Sequence, residues 1–472
     1  MNRNYFLLLL VISFLISRSQ NVVIRGYADK IHQGKIIRAM SSDDYITYTR
    51  IQQATDTIDG KGFFELGFDV AYPTKMMLMV DNLVGNMYVL PQNYYAITFP
   101  KADSLYDLNP NAEYPVELGF IFKENNDTTE MNSLIINFNR EYRKFFIENA
   151  QYIVAKKGFY QKLDSFQTAC MKRHEKTVEP FFKIWLEYTF AEINEELLRN
   201  RNVLANAYIL GKPVLIDHSE YMQFINAFFN RYIVMKASSK RGNTIPDIIN
   251  ESASYTALKQ VMSGDPYLKN DTLLELVLIK GLYELYFSPE FKRENVKMMI
   301  EEAGRTCQIK SIQKIIQNIV QQIYLLSPGT AAPEFSLMNS KGKEIRLKDF
   351  RGKFVYIDFM ASWCVPCLKE LKELAELKKK YGDKVIFISV SVDENEADFK
   401  NFVAKYKSYD WNFSWYGSDK KIKERYNVKS IPSSFLVDEE GVLLLSPAPG
   451  AGNGLEGKLK QYVKTPKGRK SY

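Results

Sequence analysis

The stretch Phe354–Phe359 is apolar except for Asp358, and it leads closely into Trp363-Cys364-Val365-Pro366-Cys367. From Pro366 to Lys380 the apolar residues then recur at helical spacing. A short apolar run followed by that period reads as a buried strand feeding a helix. A Cys-x-x-Cys pair at such a junction constrains the fold. Cys364 must sit where the helix N-terminus leaves backbone N–H groups unpaired, and those groups and the helix dipole stabilise a thiolate. Its pKa is therefore expected below the free value of about 8.5. Cys367, one turn further in, is expected to be more buried and to act as the resolving thiol. Pro366 fits the first helical turn, where its missing N–H is not needed. Zinc sites also use Cys-x-x-Cys, but they require a second pair of ligands. None follows in this part of the chain.

The surroundings extend the pattern. Ser327-Pro328-Gly329-Thr330-Ala331-Ala332-Pro333 is rich in breakers and reads as a linker. After it come a hairpin from Phe335 to Leu347, strand Phe354–Phe359, helix Pro366–Lys380, strand Val385–Val392 and helix Glu396–Tyr406. Strands Ser434–Val437 and Val442–Leu445 and a last helix ending near Val463 complete it. This alternation predicts an α/β sheet with helices on both faces over 327–472.

The preceding two thirds divide by period. Asn21–Tyr27, Gly34–Met40, Tyr45–Gln53, Gly62–Val70 and Lys75–Val80 are rich in β-branched and aromatic residues and are separated by turn-formers. They predict an antiparallel, sandwich-like β module over 20–110. Phe138–Lys156, Val178–Arg199, Tyr221–Met235, Thr272–Phe287 and Ile309–Leu326 have helical spacing and predict an all-α domain over 111–326. Their aromatic stripes read as core.

At the start, Arg3 precedes the apolar run Tyr5–Ile16, which is shorter than the roughly 20 residues a spanning helix needs. Ser17-Arg18-Ser19 then offers a cleavage site before Gln20, so residues 1–19 read as a secretory signal peptide, with an uncleaved anchor as the alternative. The mature protein is expected in the periplasm or cell envelope, without a later membrane span. Four cysteines in 472 residues are too few for a disulfide-stapled scaffold, which leaves Cys364 and Cys367 free for chemistry. Cys170 and Cys307 could pair in that compartment. The net charge of +8 is thin for this length and partly resides in the tail Lys464, Lys467, Arg469 and Lys470. With no basic helix or RNA-binding motif, nucleic-acid binding is not expected. His32, His174 and His218 are far apart, and Cys170 with His174 makes only one nominal ligand pair, so no metal site is expected.

The segment Phe354–Glu370, with Lys343–Lys353 before it and Ile431–Asp438 after it, resembles the active-site region of TlpA/ResA-type thioredoxin-like proteins, which are exported disulfide reductases. The resemblance covers about 140 residues; the two-part N-terminal extension looks like that of multidomain Bacteroidetes-type members. It implies a CxxC thiol–disulfide oxidoreductase that reduces disulfides of envelope proteins, apocytochrome c among the candidates, and is re-reduced by a membrane electron donor, without an organic cofactor or metal. It assigns Pro432 to the family's cis-proline, which faces the cysteines and shapes the groove for the substrate strand, and Trp363, Pro366 and Ile431 are expected to bind substrate with it. Asp358 matches the buried carboxylate of thioredoxins that assists proton transfer at the second cysteine, and Glu370 matches the acidic residue of ResA-like reductases. A peroxiredoxin-type peroxidase would show Pro seven residues before its reactive cysteine, and here that position is Ile357. A binding or scaffold protein with a regulatory redox domain is the other alternative, and mutating Cys364 separates it from the reductase: a scaffold survives the change.

Overall fold

Buried residues alternate with exposed ones along the first strands, as a sheet with one face in a core requires. In β1 (Val22–Tyr27) Val22 and Ile24 point inward, and in β2 (Ile36–Ser42) Ile37 and Ala39 do. The computed structural model describes residues 20–80, 83–99, 116–117, 121–122, 130–154, 158–176, 179–238, 244–288, 290–419, 421–428 and 431–463. The expected signal peptide and the basic tail lie outside these residues.

The remaining N-terminal strands are β3 (Arg50–Thr57), β4 (Phe63–Phe68), β5 (Thr74–Val80), β6 (Leu83–Val89), β7 (Asn93–Thr98), β8 (Val116–Glu117) and β9 (Ile121–Phe122). They form two sheets, in the orders β4-β1-β7-β9 and β3-β2-β5-β6-β8. Ile24, Phe64 and Ile97 from the first and Ile37, Leu78 and Val80 from the second belong to one apolar core. The expected antiparallel pairing holds except for β1 with β7 and β6 with β8, which run parallel. Between β1 and β7 the chain passes through the second sheet, the long crossover that parallel neighbours need. β3 begins later than the expected Tyr45 because the Asp44 carboxylate accepts the N–H groups of Ile46 and Thr47 at 2.7 and 2.6 Å, and Tyr48 has φ +55°. Those bonds make a turn of the segment.

The chain divides into two compact units, residues 1–194 with 217–224, and residues 195–216 with 225–472. The helical region is shared between them. In the first, helices Met131–Val154, Phe159–Arg173 and Pro180–Glu196 pack through aromatic rings, with Phe138 edge-on to Trp185 and Phe190. The expected helix Tyr221–Met235 is instead two, Ser219–Phe228 and Tyr232–Ala237, separated by Arg231 in the left-handed region at φ +50°. In the second unit, helices Asp271–Tyr286, Arg293–Thr306 and Lys310–Leu325 precede the C-terminal sheet; the middle one was not anticipated.

That C-terminal region opens with a hairpin of β10 (Ser336–Met338) and β11 (Glu344–Arg346). Its main sheet contains β12 (Phe354–Met360), β13 (Val385–Ser391), β14 (Asn412–Trp415), β15 (Ser433–Val437) and β16 (Leu443–Ala448), in the order β14-β13-β12-β15-β16. β12 pairs parallel with β13 and antiparallel with β15. Every residue from Val355 to Met360 is buried, as expected for a central strand covered on both faces. Asp358 is thereby carried into the core.

Candidate active site

Strand β12 ends at Met360 and the helix Val365–Tyr381 begins five residues later, with Cys364 as its N-cap. The Cys364 Sγ accepts the N–H of Cys367 at 3.2 Å, and its carbonyl accepts the N–H of Leu368 at 3.0 Å. Sulfur thus takes the place of the side-chain oxygen that usually satisfies an unpaired N–H at this position. Lys378, Lys379 and Lys380 lie in the last turn, where positive charge suits the dipole. Cys364 and Cys367 form a disulfide with Cα atoms 5.3 Å apart. Both are buried, at 4% and 2% exposure, while their neighbours Trp363 and Val365 are 67% and 60% exposed. The sulfurs sit at the foot of an apolar, solvent-facing shoulder.

The turn that carries Cys364 is fastened to the end of β13 by Asp393, a buried residue the sequence reading did not single out. Its carboxylate accepts the Ser362 N–H at 3.0 Å, the Ser362 hydroxyl at 2.8 Å and the Ser391 hydroxyl at 2.6 Å. Its carbonyl accepts the indole N–H of Trp415 at 2.8 Å. The signal in the sequence is Ser391-Val392-Asp393, an acid directly after a buried strand. Such a residue needs partners to be tolerated there.

Asp358 lies opposite Ser389 in β13 and Ser434 in β15. The Ser434 hydroxyl donates to its Oδ1 at 3.2 Å. Burial pushes its carboxyl up to about 7, the nearby charge of Glu370 adds to the rise, and Ser434 opposes it. Glu370 is also buried, and its carboxyl is raised by burial first and by Glu373 to a smaller degree. The Ala451 N–H and the Asn453 side-chain amide (3.1 Å to Oε1) pull the other way. Gly450 makes room for this arrangement, because a Cβ there would lie 2.2 Å from Glu370 Oε1. Neither Asn453 nor Gly450 was anticipated.

The Ile431–Pro432 peptide is cis and stands at the start of β15. It lines a cavity of about 810 Å³ together with Glu370, Ser434 and Asn453. The structure therefore gathers Glu370, Ile431, Pro432 and the hydroxyl partner of Asp358 around one space. Trp363 and Pro366 do not line it; both are exposed at the start of the active-site helix. Cys170 and Cys307 are each a free, buried thiol, so the pairing allowed above is not made. Among the described residues there is no cluster of three or more potential metal ligands, and no helix is long and apolar enough to cross a membrane.

Residues 328–445 match the AhpC/TSA family model. The thiol–disulfide oxidoreductase ResA of Bacillus thuringiensis subsp. konkukian is 38% identical over 139 residues, which is 29% of this chain and 76% of that protein. The chain belongs to the ResA-like thiol–disulfide oxidoreductases. The thioredoxin-like protein YneN of Bacillus subtilis is 36% identical to this oxidoreductase over 118 residues, 25% of the chain and 69% of that protein. The thioredoxin domain of a thiol–disulfide oxidoreductase from Bacteroides vulgatus aligns with 29% of the chain and 99% of its own length, at 30% identity and a TM-score of 0.27. A peroxidase is not favoured: the ResA relative is a thiol–disulfide oxidoreductase, and Ile357 stands where a peroxidase of this fold would carry proline.

Proposed function

We propose that Cys364 is the attacking sulfur and Cys367 the resolving one, in an exported reductase of protein disulfides. The Cys364 thiolate attacks one sulfur of a substrate disulfide, that S–S bond breaks, and the other substrate sulfur leaves as a thiolate. Cys367 gives its proton to Asp358 and attacks the Cys364 sulfur, releasing the second substrate thiolate. Two electrons pass to substrate, and the enzyme is left with its own disulfide. A carboxyl poised near 7 can take a proton at neutral pH, which supports the role of Asp358. Glu370 maintains that poise through its charge and neighbours the substrate groove at Ile431 and Pro432. Trp363 and Pro366 form the exposed shoulder on which substrate rests. The observation that carries the reading is the Cys364 sulfur in the N-cap position, where the N–H of Cys367 and the helix dipole favour a thiolate.

The reading includes a signal peptide at 1–19, a β module at 20–110, a helical domain at 111–326 and a thioredoxin-like domain at 327–472. It places the mature protein in the periplasm or cell envelope, with disulfide-bearing exported proteins as substrates and a membrane electron donor for re-reduction. It calls for no cofactor or metal. The test is the equilibrium reduction potential of the Cys364–Cys367 pair in the full mature chain. A value near that of thioredoxin, about −270 mV, supports a reductant. A value near about −120 mV makes the protein an oxidant. Failure to exchange thiols removes the catalytic reading.

A further inference from the structure

The cavity beside Pro432 has a second wall made by helical residues outside the thioredoxin-like sheet. Tyr286 and Phe287 close helix Asp271–Tyr286, Arg293 opens the next helix, and Gln322 comes from helix Lys310–Leu325. Arg293 donates its Nε–H to the Tyr286 carbonyl at 3.0 Å and an Nη1–H to the Ser446 carbonyl at 2.9 Å. Both acceptors are neutral. Among the described residues no carboxylate forms an ion pair with this half-buried guanidinium, and Tyr286 is the one titratable neighbour that acts on it. Glu370, the acid on the same lining, is already held by Asn453 and Ala451. Two of five guanidinium N–H donors are thus used on carbonyls, and beside the charge stands the Tyr286 ring, 5.8 Å from Cζ, with no anion paired to it among the described residues. A planar fork in that state is suited to a carboxylate.

A cavity of about 810 Å³ exceeds what one side chain fills and lies in the range of sites that enclose a ligand. Ile431 and Pro432, which line it, belong to the proposed substrate groove. Aromatic Tyr286, Phe287 and Tyr426 give it apolar wall, and Arg293 gives it a cation.

We infer that this cavity receives an extended segment of the substrate protein next to its reactive cysteine, and that Arg293 selects segments with an acidic side chain there. The inference rests on the disulfide-exchange reading above. It gives the helical part of the second unit a specificity role: it supplies one wall of the site and its positive charge.

The test uses the full mature chain, reduced beforehand, and two disulfide peptides that differ only in having Asp or Lys beside the cysteine. Reduction of the Asp peptide is expected with a kcat/KM about tenfold higher, the ratio that one charge-assisted contact supplies. Arg293→Gln should erase the preference, Arg293→Lys should retain part of it, and Arg293→Glu should reverse it. Because Arg293 also ties Tyr286 to Ser446, a second measurement leaves it unchanged. In Cys367→Ser, the two peptides compete to form the trapped mixed disulfide with Cys364, and the Asp adduct should dominate by mass spectrometry. Equal reduction of both peptides by the wild type, or a preference that survives in Arg293→Gln, overturns the inference while disulfide exchange stands. No reduction of either peptide removes both.

Discussion

Glu220 in the N-terminal unit and Asp358 in the C-terminal sheet are both buried carboxylates, and their surroundings shift them in opposite directions. Burial raises both. At Glu220 it is outweighed by Lys75 at 3.4 Å, by the Ser219 hydroxyl at 2.6 Å and by the Tyr88 hydroxyl, so the carboxyl ends below its ordinary range. Even His218, 3.7 Å away, favours the anion. Asp358 has one hydroxyl, Ser434, and the charge that acts on it is another acid, Glu370. A buried charge surrounded by donors is held in one state and ties elements together. One left with a single donor and a like charge is poised between states, which proton transfer requires.

The largest effect that could break this contrast is kinetic. Asp358→Asn should slow resolution of the mixed disulfide by about 10²- to 10⁴-fold, the usual contribution of a positioned base, with first attack by Cys364 much less affected. Stopped-flow release of the second substrate thiol reads this directly; an unchanged rate would leave Asp358 a structural residue. The next effect is on stability. Because its folded pKa is raised from 3.8 to about 7, Asp358 contributes stability fully present below about pH 4 and lost as pH rises to about 7. At 1.36 kcal/mol per unit the loss is bounded at about 4 kcal/mol, and Asp358→Asn should remove that slope from urea unfolding measured over the same window.

Glu220→Leu tests the other member. It strands the Tyr88 and Ser219 hydroxyls and the partly exposed Lys75, and should destabilise the N-terminal unit by about 3 kcal/mol, seen as an earlier urea transition. Its reduction of peptide disulfides should not change; altered turnover would mean that this network also serves the chemistry. The smallest effect is expected from Glu370→Gln. Removing a like charge should move the Asp358 pKa downward, shift the pH–rate profile to lower pH and change the rate at neutral pH by only about a few-fold.

The sequence made the cysteine pair and Asp358 legible because their signal is local: an apolar strand, an acid inside it and a helix pattern behind it. The α/β alternation from Phe335 to Val463 was legible for the same reason, although the short edge strand Asn412–Trp415 was not. Asn453 reaches Glu370 across 83 positions, and Arg293 reaches Ser446 across 153. No periodicity encodes contacts of that span. The break at Arg231 and the turn at Asp44 escaped notice because one left-handed residue or one carboxylate overrode a regular pattern.

The Cys364 sulfur that caps the active-site helix has a consequence for how the molecule can be watched. In the disulfide it is a neutral acceptor for the Cys367 N–H; as the thiolate proposed above it would carry charge after reduction and hold that proton more firmly. The Cys367 amide should therefore exchange with deuterium more slowly in the reduced protein than in the oxidised one. A single backbone proton would then report the oxidation state of the enzyme, with no dye or partner protein attached.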